Sequence, residues 1–325
     1  MYKSFYNLKR NPFELTPDPS FLFSTPRHNE ALATLYHGVR SHRGFVVLTG
    51  EVGTGKTLLL RCLLQLLKQS NDISYAYVFN SCLSSLEFLQ YIATDFGLPS
   101  SGKNKAEILT NLSNYVIARA SSKLTTVLIV DEAHHLPVEA LEEVRLLTNL
   151  ETTNDKLLQV LLVGQPELDD KLDSVELRQL KQRIAHRSQL VPLDMDETRG
   201  YIERRLQLAG ATSNGRVLFV PNAIASVHRH SRGIPRLINT ICENALITAY
   251  ARQAQSVTPE IVEDVAADLR VNVVSSRQLK NSASRDEGDI RRAARNLLEL
   301  YAYLSTLSPH DGELKTLETV TSQRA

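Results

Sequence analysis

Eight residues, Gly50-Glu51-Val52-Gly53-Thr54-Gly55-Lys56-Thr57, have the types and spacing to hold a phosphate chain. Glycines let a backbone curl until its N–H groups converge on anionic oxygens, and a helix that follows adds the positive end of its dipole. In the pattern G-x-x-x-x-G-K-T, Lys56 is the residue to reach the β- and γ-phosphates, and the Thr57 hydroxyl is the one to hold Mg2+. A chance glycine turn is the plain alternative, and the flanks argue against it. Residues 44–49 (GFVVLT) are a short β-branched run, and residues 58–68 (LLLRCLLQLLK) read as a buried helix. That is the strand–loop–helix setting the motif requires. Leu58, the first residue past the motif, is counted with the nucleotide contacts.

Four further groups could complete the chemistry. Residues 125–130 (TTVLIV) read as a strand that delivers Asp131 and Glu132 to a sheet edge. An aspartate there can hold Mg2+ through water, and the next carboxylate is placed to polarise an attacking water. Residues 157–163 (LLQVLLV) read as another strand, and Gln165 at its tip is a candidate to orient water or sense hydrolysis; a turn residue before Pro166 is the bland alternative. Residues 175–185 (VELRQLKQRIA) read as a helix carrying Arg178, Lys181 and Arg183, with Arg187 following and a short strand expected over 188–192. Such a run is either a solvated face or an arginine finger offered to a neighbouring subunit. Arg236, in the first turn of a helix opened by Pro235, is either exposed or tolerated at the positive helix end because an anion lies near it. Asp131-Glu132-Ala133-His134 also spells a helicase signature, but no other helicase block accompanies it, and the adjacent His134 and His135 read as polar packing rather than metal ligands.

The chain has 325 residues, 42% of them hydrophobic, which suits two globular units or one with an appendage. A net charge of +1 gives no bulk electrostatic case for nucleic acid or an anionic membrane, although a local basic patch stays open. Cys62, Cys82 and Cys242 stand far apart, which suits a reducing compartment and excludes a C-x-x-C zinc site. There is no run of ~20 apolar residues and no signal-peptide core, so the expectation is a cytoplasmic protein, with peripheral attachment at the inner membrane left open.

Five units are expected. Residues 1–28, rich in aromatics and proline, form an irregular segment packed on the core, placed either to line an adenine pocket or simply to pack. Residues 29–193 form an α/β nucleotide-binding domain and 194–270 a helical domain. A polar linker spans 271–289, and 290–325 hold an amphipathic helix and tail.

Taken together, MYKSFYNLKRNPFELTPDPSFLF, RHNEAL, TGEVGTGKT, DEAHHL, LLVGQPEL, LRQLKQRI, YIERRL and SRGIPRLIN resemble the AAA+ ATPases of the general secretion pathway protein A (ExeA-type) family, including exosortase-locus and pilus-associated relatives. The likeness covers roughly residues 1–270. It implies a five-stranded parallel sheet flanked by helices and followed by a small all-α lid. It implies ATP and Mg2+ as ligands, ATP hydrolysis, and a homo-oligomeric ring or filament. It implies protein partners in a secretion, pilus or exopolysaccharide system; a DNA-binding transposition regulator of the same superfamily is the alternative. Residue by residue, Glu132 falls at the catalytic base, Gln165 at sensor 1, Arg183 at the arginine finger with Arg178 and Arg187 behind it, and Arg236 at sensor 2. Phe13 and the following Pro-Asp-Pro turn fall beside the adenine. Secretion-type members continue into a membrane-spanning helix and a periplasmic peptidoglycan-binding module. Neither pattern follows residue 270 here, so a soluble member or a shortened form is expected.

Overall fold

Aliphatic runs bounded by glycine or polar residues fold as strands. In the computed structural model, residues 2–79, 83–151, 155–211 and 217–270 are described. The expected linker, the expected C-terminal helix and Cys82 lie outside the described residues. In chain order the elements are α1 (Tyr2–Phe5), α2 (Pro26–Arg40), β1 (Phe45–Gly50), α3 (Lys56–Lys68), β2 (Ile73–Val78), α4 (Ser85–Asp95), α5 (Lys105–Ser121), β3 (Thr125–Val130), α6 (Val138–Leu147), β4 (Leu158–Gly164), α7 (Glu167–Leu172), α8 (Arg178–Lys181), β5 (Ile184–Leu190), α9 (Met195–Leu208), α10 (Pro221–Ser231), α11 (Pro235–Ala251) and α12 (Pro259–Asp268).

The strands form one parallel sheet in the order β2-β3-β4-β1-β5. β1, β3 and β4 are buried at every residue, as central strands covered by helices on both faces must be. Their two-residue period divides the core. Phe45, Val47, Leu128 and Val160 pack under α4, α5 and α6, while Val46, Leu48, Ile129 and Leu161 pack under α2 and α3. A third cluster joins α9, α10, α11 and α12. Residues 1–268 form one compact unit.

Three local expectations change. The helix expected over 175–185 shrinks to α8, and β5 starts at Ile184. Residues 184–189 alternate between half-buried and exposed, Leu190 is buried, and the strand pairs with the free side of β1, so sheet pairing overrides the helix-forming Arg, Lys and Gln before it. α2 begins at Pro26, with Thr25 as its N-cap accepting from the His28 N–H, which ends the irregular segment three residues early. That segment also packs chiefly on the helical part rather than on the sheet domain. Tyr6, Leu8 and Phe13 enter the α9–α12 cluster, Tyr2 and Asn11 hydrogen-bond Glu243, and Arg205 donates to the Pro12 carbonyl at 2.7 Å. Its aromatics find their apolar partner there. The chain then crosses to α3, where Arg61 holds the Pro17 carbonyl.

Candidate nucleotide site

β1 ends at Gly50 on the sheet edge, the loop curls over residues 51–55, and α3 starts at Lys56. Gly53 has φ +84°, and a Cβ there would lie 2.7 Å from the Cβ of Arg236, so glycine is what lets α11 close on the loop. The Arg236 N–H donates to the Gly53 carbonyl at 3.2 Å. Thr54 is buried, with its hydroxyl on the Glu51 carbonyl at 2.8 Å. Beneath the loop lies buried His28. Its Nδ1 meets the Thr25 hydroxyl at 2.7 Å and its Nε2 the Thr54 carbonyl at 3.4 Å. A carbonyl only accepts, so Nε2 carries the proton and Nδ1 accepts from Thr25. Burial pushes the His28 pKa down.

Lys56 is buried and folds back over the loop, donating to the carbonyls of Gly50 at 2.7 Å and Glu51 at 3.1 Å. Burial lowers its pKa, against the pull of Glu132 and Asp131. The Thr57 hydroxyl donates to Asp131 Oδ2 at 3.2 Å. Asp131 is buried, and its pKa is pushed up by that burial. Among the described residues no basic side chain pairs with it. Its oxygens are held instead by Thr57, by the Tyr77 hydroxyl at 3.1 Å and by the Glu132 N–H at 3.0 Å. A hydroxyl and an unpaired buried carboxylate are hard oxygen donors, and this set fits Mg2+.

Glu132 occupies the left-handed region, φ +52° and ψ +37°, a conformation that costs a non-glycine residue roughly 1–2 kcal/mol and recurs at functional sites. The Gln165 amide lies 3.5 Å from Glu132 Oε2, the outer limit of a hydrogen bond, and the Gln165 N–H points to His134 Nδ1 at 3.4 Å. The strand tip and the acidic turn therefore touch. Lys171, on α7, fastens that turn from below by donating to the carbonyls of His134 and Leu136. The Glu132, His134 and His135 ligand atoms lie within 4.8 Å of one another.

Between the loop and α11 lies a cavity of about 310 Å³. Val52, Gly53, Gly55, Lys56, Thr57 and Leu58 line one side of it, and Glu132, Pro235 and Arg236 also border it. Arg236 is exposed there, and its guanidinium makes no hydrogen bond or ion pair with the described residues. Gly50, Glu51 and Thr54 shape the loop without lining the cavity, and Asp131 reaches it only through Thr57.

A family model described as "AAA domain" matches residues 39–172. General secretion pathway protein A of Aeromonas hydrophila is 45% identical over 258 residues, which are 79% of this chain and 46% of that protein, so the chain spans about half the length of that relative. The ATP-dependent target DNA activator B of Escherichia phage Mu is 25% identical over 72% of this chain and 69% of its own. Among solved structures, the ORC2 protein of Aeropyrum pernix superposes with a TM-score of 0.59 over 80% of this chain and 71% of its own, at 19% identity. The chain carries an AAA domain.

Within this AAA+ fold, Phe13 does not border the cavity. It is fully buried in the helical cluster, edge-on to Phe219 with ring centroids 5.9 Å apart, because α9–α12 offer the apolar surface it needs. The backbone it anchors brings residues 14–17 to the cavity in its place. Arg183 sits in the turn between α8 and β5 and donates to the Arg145 carbonyl at 3.2 Å and the Thr148 hydroxyl at 3.4 Å, at the electronegative C-terminal end of α6. Arg187 pairs with Asp169 at 3.1 Å and Asp173 at 3.5 Å. Arg178 is exposed and has no side-chain partner among the described residues. It borders a second cavity of about 560 Å³ with Asp173 and Val175. None of the three reaches the nucleotide cavity of its own chain.

Four residues that shape the site escaped the sequence reading. Tyr201 and Arg205 lie one turn apart on α9, and Asn239 lies three residues past Arg236 on α11; all three line the cavity, and Tyr201 donates to Asn239 Oδ1 at 2.9 Å. Helical spacing from Arg236 and within YIERRL was the available signal. Tyr77 is the fourth, and its signal was the two-residue period of β2. No helix among the described residues is long and apolar enough to cross a membrane.

Proposed function

We propose that this AAA+ chain hydrolyses ATP to ADP and phosphate with Mg2+, in an assembly of several copies. The observation that carries the reading is the meeting of Thr57 and Asp131 oxygens at 3.2 Å, in one site with Lys56 and Glu132 and facing Arg236. The loop N–H groups and the start of α3 hold the phosphate chain of the substrate. Lys56 exchanges the Gly50 and Glu51 carbonyls for phosphate oxygens, an exchange favoured because a buried ammonium gains more from an anion than from neutral acceptors. Thr57 and Asp131 hold Mg2+, which supplies charge neutralisation to the phosphates when bound. Glu132 takes the proton of the attacking water while Gln165 orients that carboxylate. Arg236 binds the phosphate end from α11. The segment 178–187 of a neighbouring copy supplies the remaining cation; Arg178 has the guanidinium free for it, and Arg183 is engaged in its own chain.

Glu132→Gln tests the reading: nucleotide binding persists and phosphate release falls by about 100-fold or more. Turnover at the wild-type rate would remove Glu132 as the base. The likeness to general secretion pathway protein A supports work at the inner face of a cell envelope, with protein partners in a secretion, pilus or exopolysaccharide system. A second reading, ATP-dependent binding of duplex DNA, is favoured by the similarity to the phage Mu activator. DNA binding that requires ATP and weakens steeply with salt would carry it.

A further inference from the structure

β2 is an edge strand of the sheet, yet it meets the acidic turn directly. Its register with β3 sets Tyr77 opposite Ile129, and pairing persists to the end, where the Asp131 N–H donates to the Val78 carbonyl at 2.8 Å. Because side chains alternate, Tyr77, Ile129 and Asp131 share one face of the sheet, with Asp131 one pleat beyond the residue opposite Tyr77. That diagonal is too long for most side chains, but a tyrosine spans it, and its hydroxyl lies 3.1 Å from Asp131 Oδ2. The Tyr77 backbone is fixed as well: its outward N–H, which an edge strand would leave to water, donates to the Asp95 carboxylate at 2.6 Å.

The consequence follows from what holds Asp131. Among the described residues Asp131 makes no salt bridge, and three donors hold its oxygens: Thr57, Tyr77 and the Glu132 N–H. Thr57 is also a proposed metal ligand. Without Tyr77, the orientation of Oδ2 would depend on the very group that it helps to place. Tyr77 supplies a donor from a different strand, independent of the loop. The Glu132 N–H on Oδ1 then links the same carboxylate to the strained backbone of the proposed base.

We infer that Tyr77 is a positioning residue of the metal site, holding Asp131 in the orientation that receives Mg2+; this rests on the reading of Thr57 and Asp131 as the Mg2+ ligands. Groups that orient a metal ligand from behind are typically worth 10- to 100-fold in metal affinity.

The test is Tyr77→Phe, which removes the hydroxyl and keeps the ring, beside Tyr75→Phe on the same strand as a control. Binding of a fluorescent ATP analogue is titrated with Mg2+ and repeated in EDTA, and Mn2+ binding is followed by electron paramagnetic resonance. The expected result is a metal requirement roughly 10-fold higher in Tyr77→Phe, no change in Tyr75→Phe, and binding in EDTA within about twofold of wild type for both. An unchanged metal midpoint in Tyr77→Phe overturns the inference. So does an equal loss of binding in EDTA, which would mean that the strand, not the carboxylate, was disturbed. If the wild-type protein binds the analogue without regard to metal, the Thr57–Asp131 site itself falls, and the Tyr77 inference with it.

Discussion

Replacing Gly233 with alanine is the sharpest test of how the helical part is joined to the nucleotide loop. Gly233 has φ +73°, and an added Cβ would lie 1.9 Å from the Leu193 carbonyl oxygen, 2.9 Å from its carbon and 3.0 Å from its nitrogen. All three are backbone atoms, so no side chain can swing aside. The same two residues are bonded, Leu193 N–H to the Gly233 carbonyl at 2.8 Å. Relief requires the turn before α11 to leave the linker that follows β5, which breaks that bond. The left-handed conformation costs an alanine roughly 1 kcal/mol, and the broken bond about 1 more. With the packing lost as the two segments part, the total should be about 3–5 kcal/mol. Gly97 is the matched control. Its φ is nearly the same, +76°, but nothing lies within 4 Å of an added Cβ. Gly97→Ala should therefore cost roughly 1 kcal/mol, the strain alone. The chain has no tryptophan, so urea unfolding is best followed by circular dichroism. Nucleotide binding by native protein adds a second readout. Gly233 lies three residues before Arg236, whose N–H rests on Gly53, so Gly233→Ala should weaken binding while Gly97→Ala leaves it intact. Equal destabilisation by the two alanines would mean that the linker yields without cost and that the clash with Leu193 holds nothing in place.

Two further outcomes separate neighbouring explanations. Arg183→Ala should destabilise the fold by about 1–2 kcal/mol, since its two hydrogen bonds close the end of α6. Arg178→Ala should leave stability within about 0.5 kcal/mol yet lower phosphate release, partly restored by mixing with Lys56→Ala copies; if a folded Arg183→Ala is instead the variant that mixing rescues, the finger is Arg183. Buried His28 has its pKa lowered, chiefly by desolvation, so the unfolded chain takes a proton more readily than the native one. Its stabilising effect is complete above the unfolded value of about 6.5 and is lost as pH falls from there toward the lower folded value. Urea midpoints at about pH 7.5 and about pH 5.5 should therefore differ less in His28→Gln than in wild type, and equal differences would exclude His28 as the group responsible.

The sheet and most of the site could be read from the sequence because their signals are local. Residues 44–57 carry strand, glycine turn and helix start within one stretch, and β3 runs unbroken into Asp131. The helical part is equally legible, since Pro221, Pro235 and Pro259 each open a helix. What escaped depends on reach between elements. β5 alternates half-buried and exposed at the edge of the sheet and follows a run of helix formers, so only its pairing with β1 reveals it. Phe13 carries the right composition for an adenine wall, but Phe219, 206 positions away in sequence, claims its ring. Tyr77 looks like an ordinary strand aromatic until the register with β3 sets Asp131 within range of its hydroxyl.

The contact between Gly53 and Arg236 gives a physical reason for the division of labour at the cavity. The first N–H groups of a helix have no partner within it, and the Arg236 N–H is one of these. The Gly53 carbonyl satisfies it at 3.2 Å, and the absence of a side chain at Gly53 is what permits the approach. α11 is therefore seated on the loop through a backbone hydrogen bond, and the Arg236 guanidinium takes no part in holding it there. A guanidinium that the fold does not need for docking is available to the ligand. The same seating turns the positive end of α11 toward the loop, as the start of α3 already is, so two helix N-termini and two cations converge where a polyphosphate would lie. Lys56, buried at the loop, and Arg236, exposed on α11, both line that space. The joint itself is the pair of glycines, Gly53 and Gly233, whose missing side chains let the two parts touch.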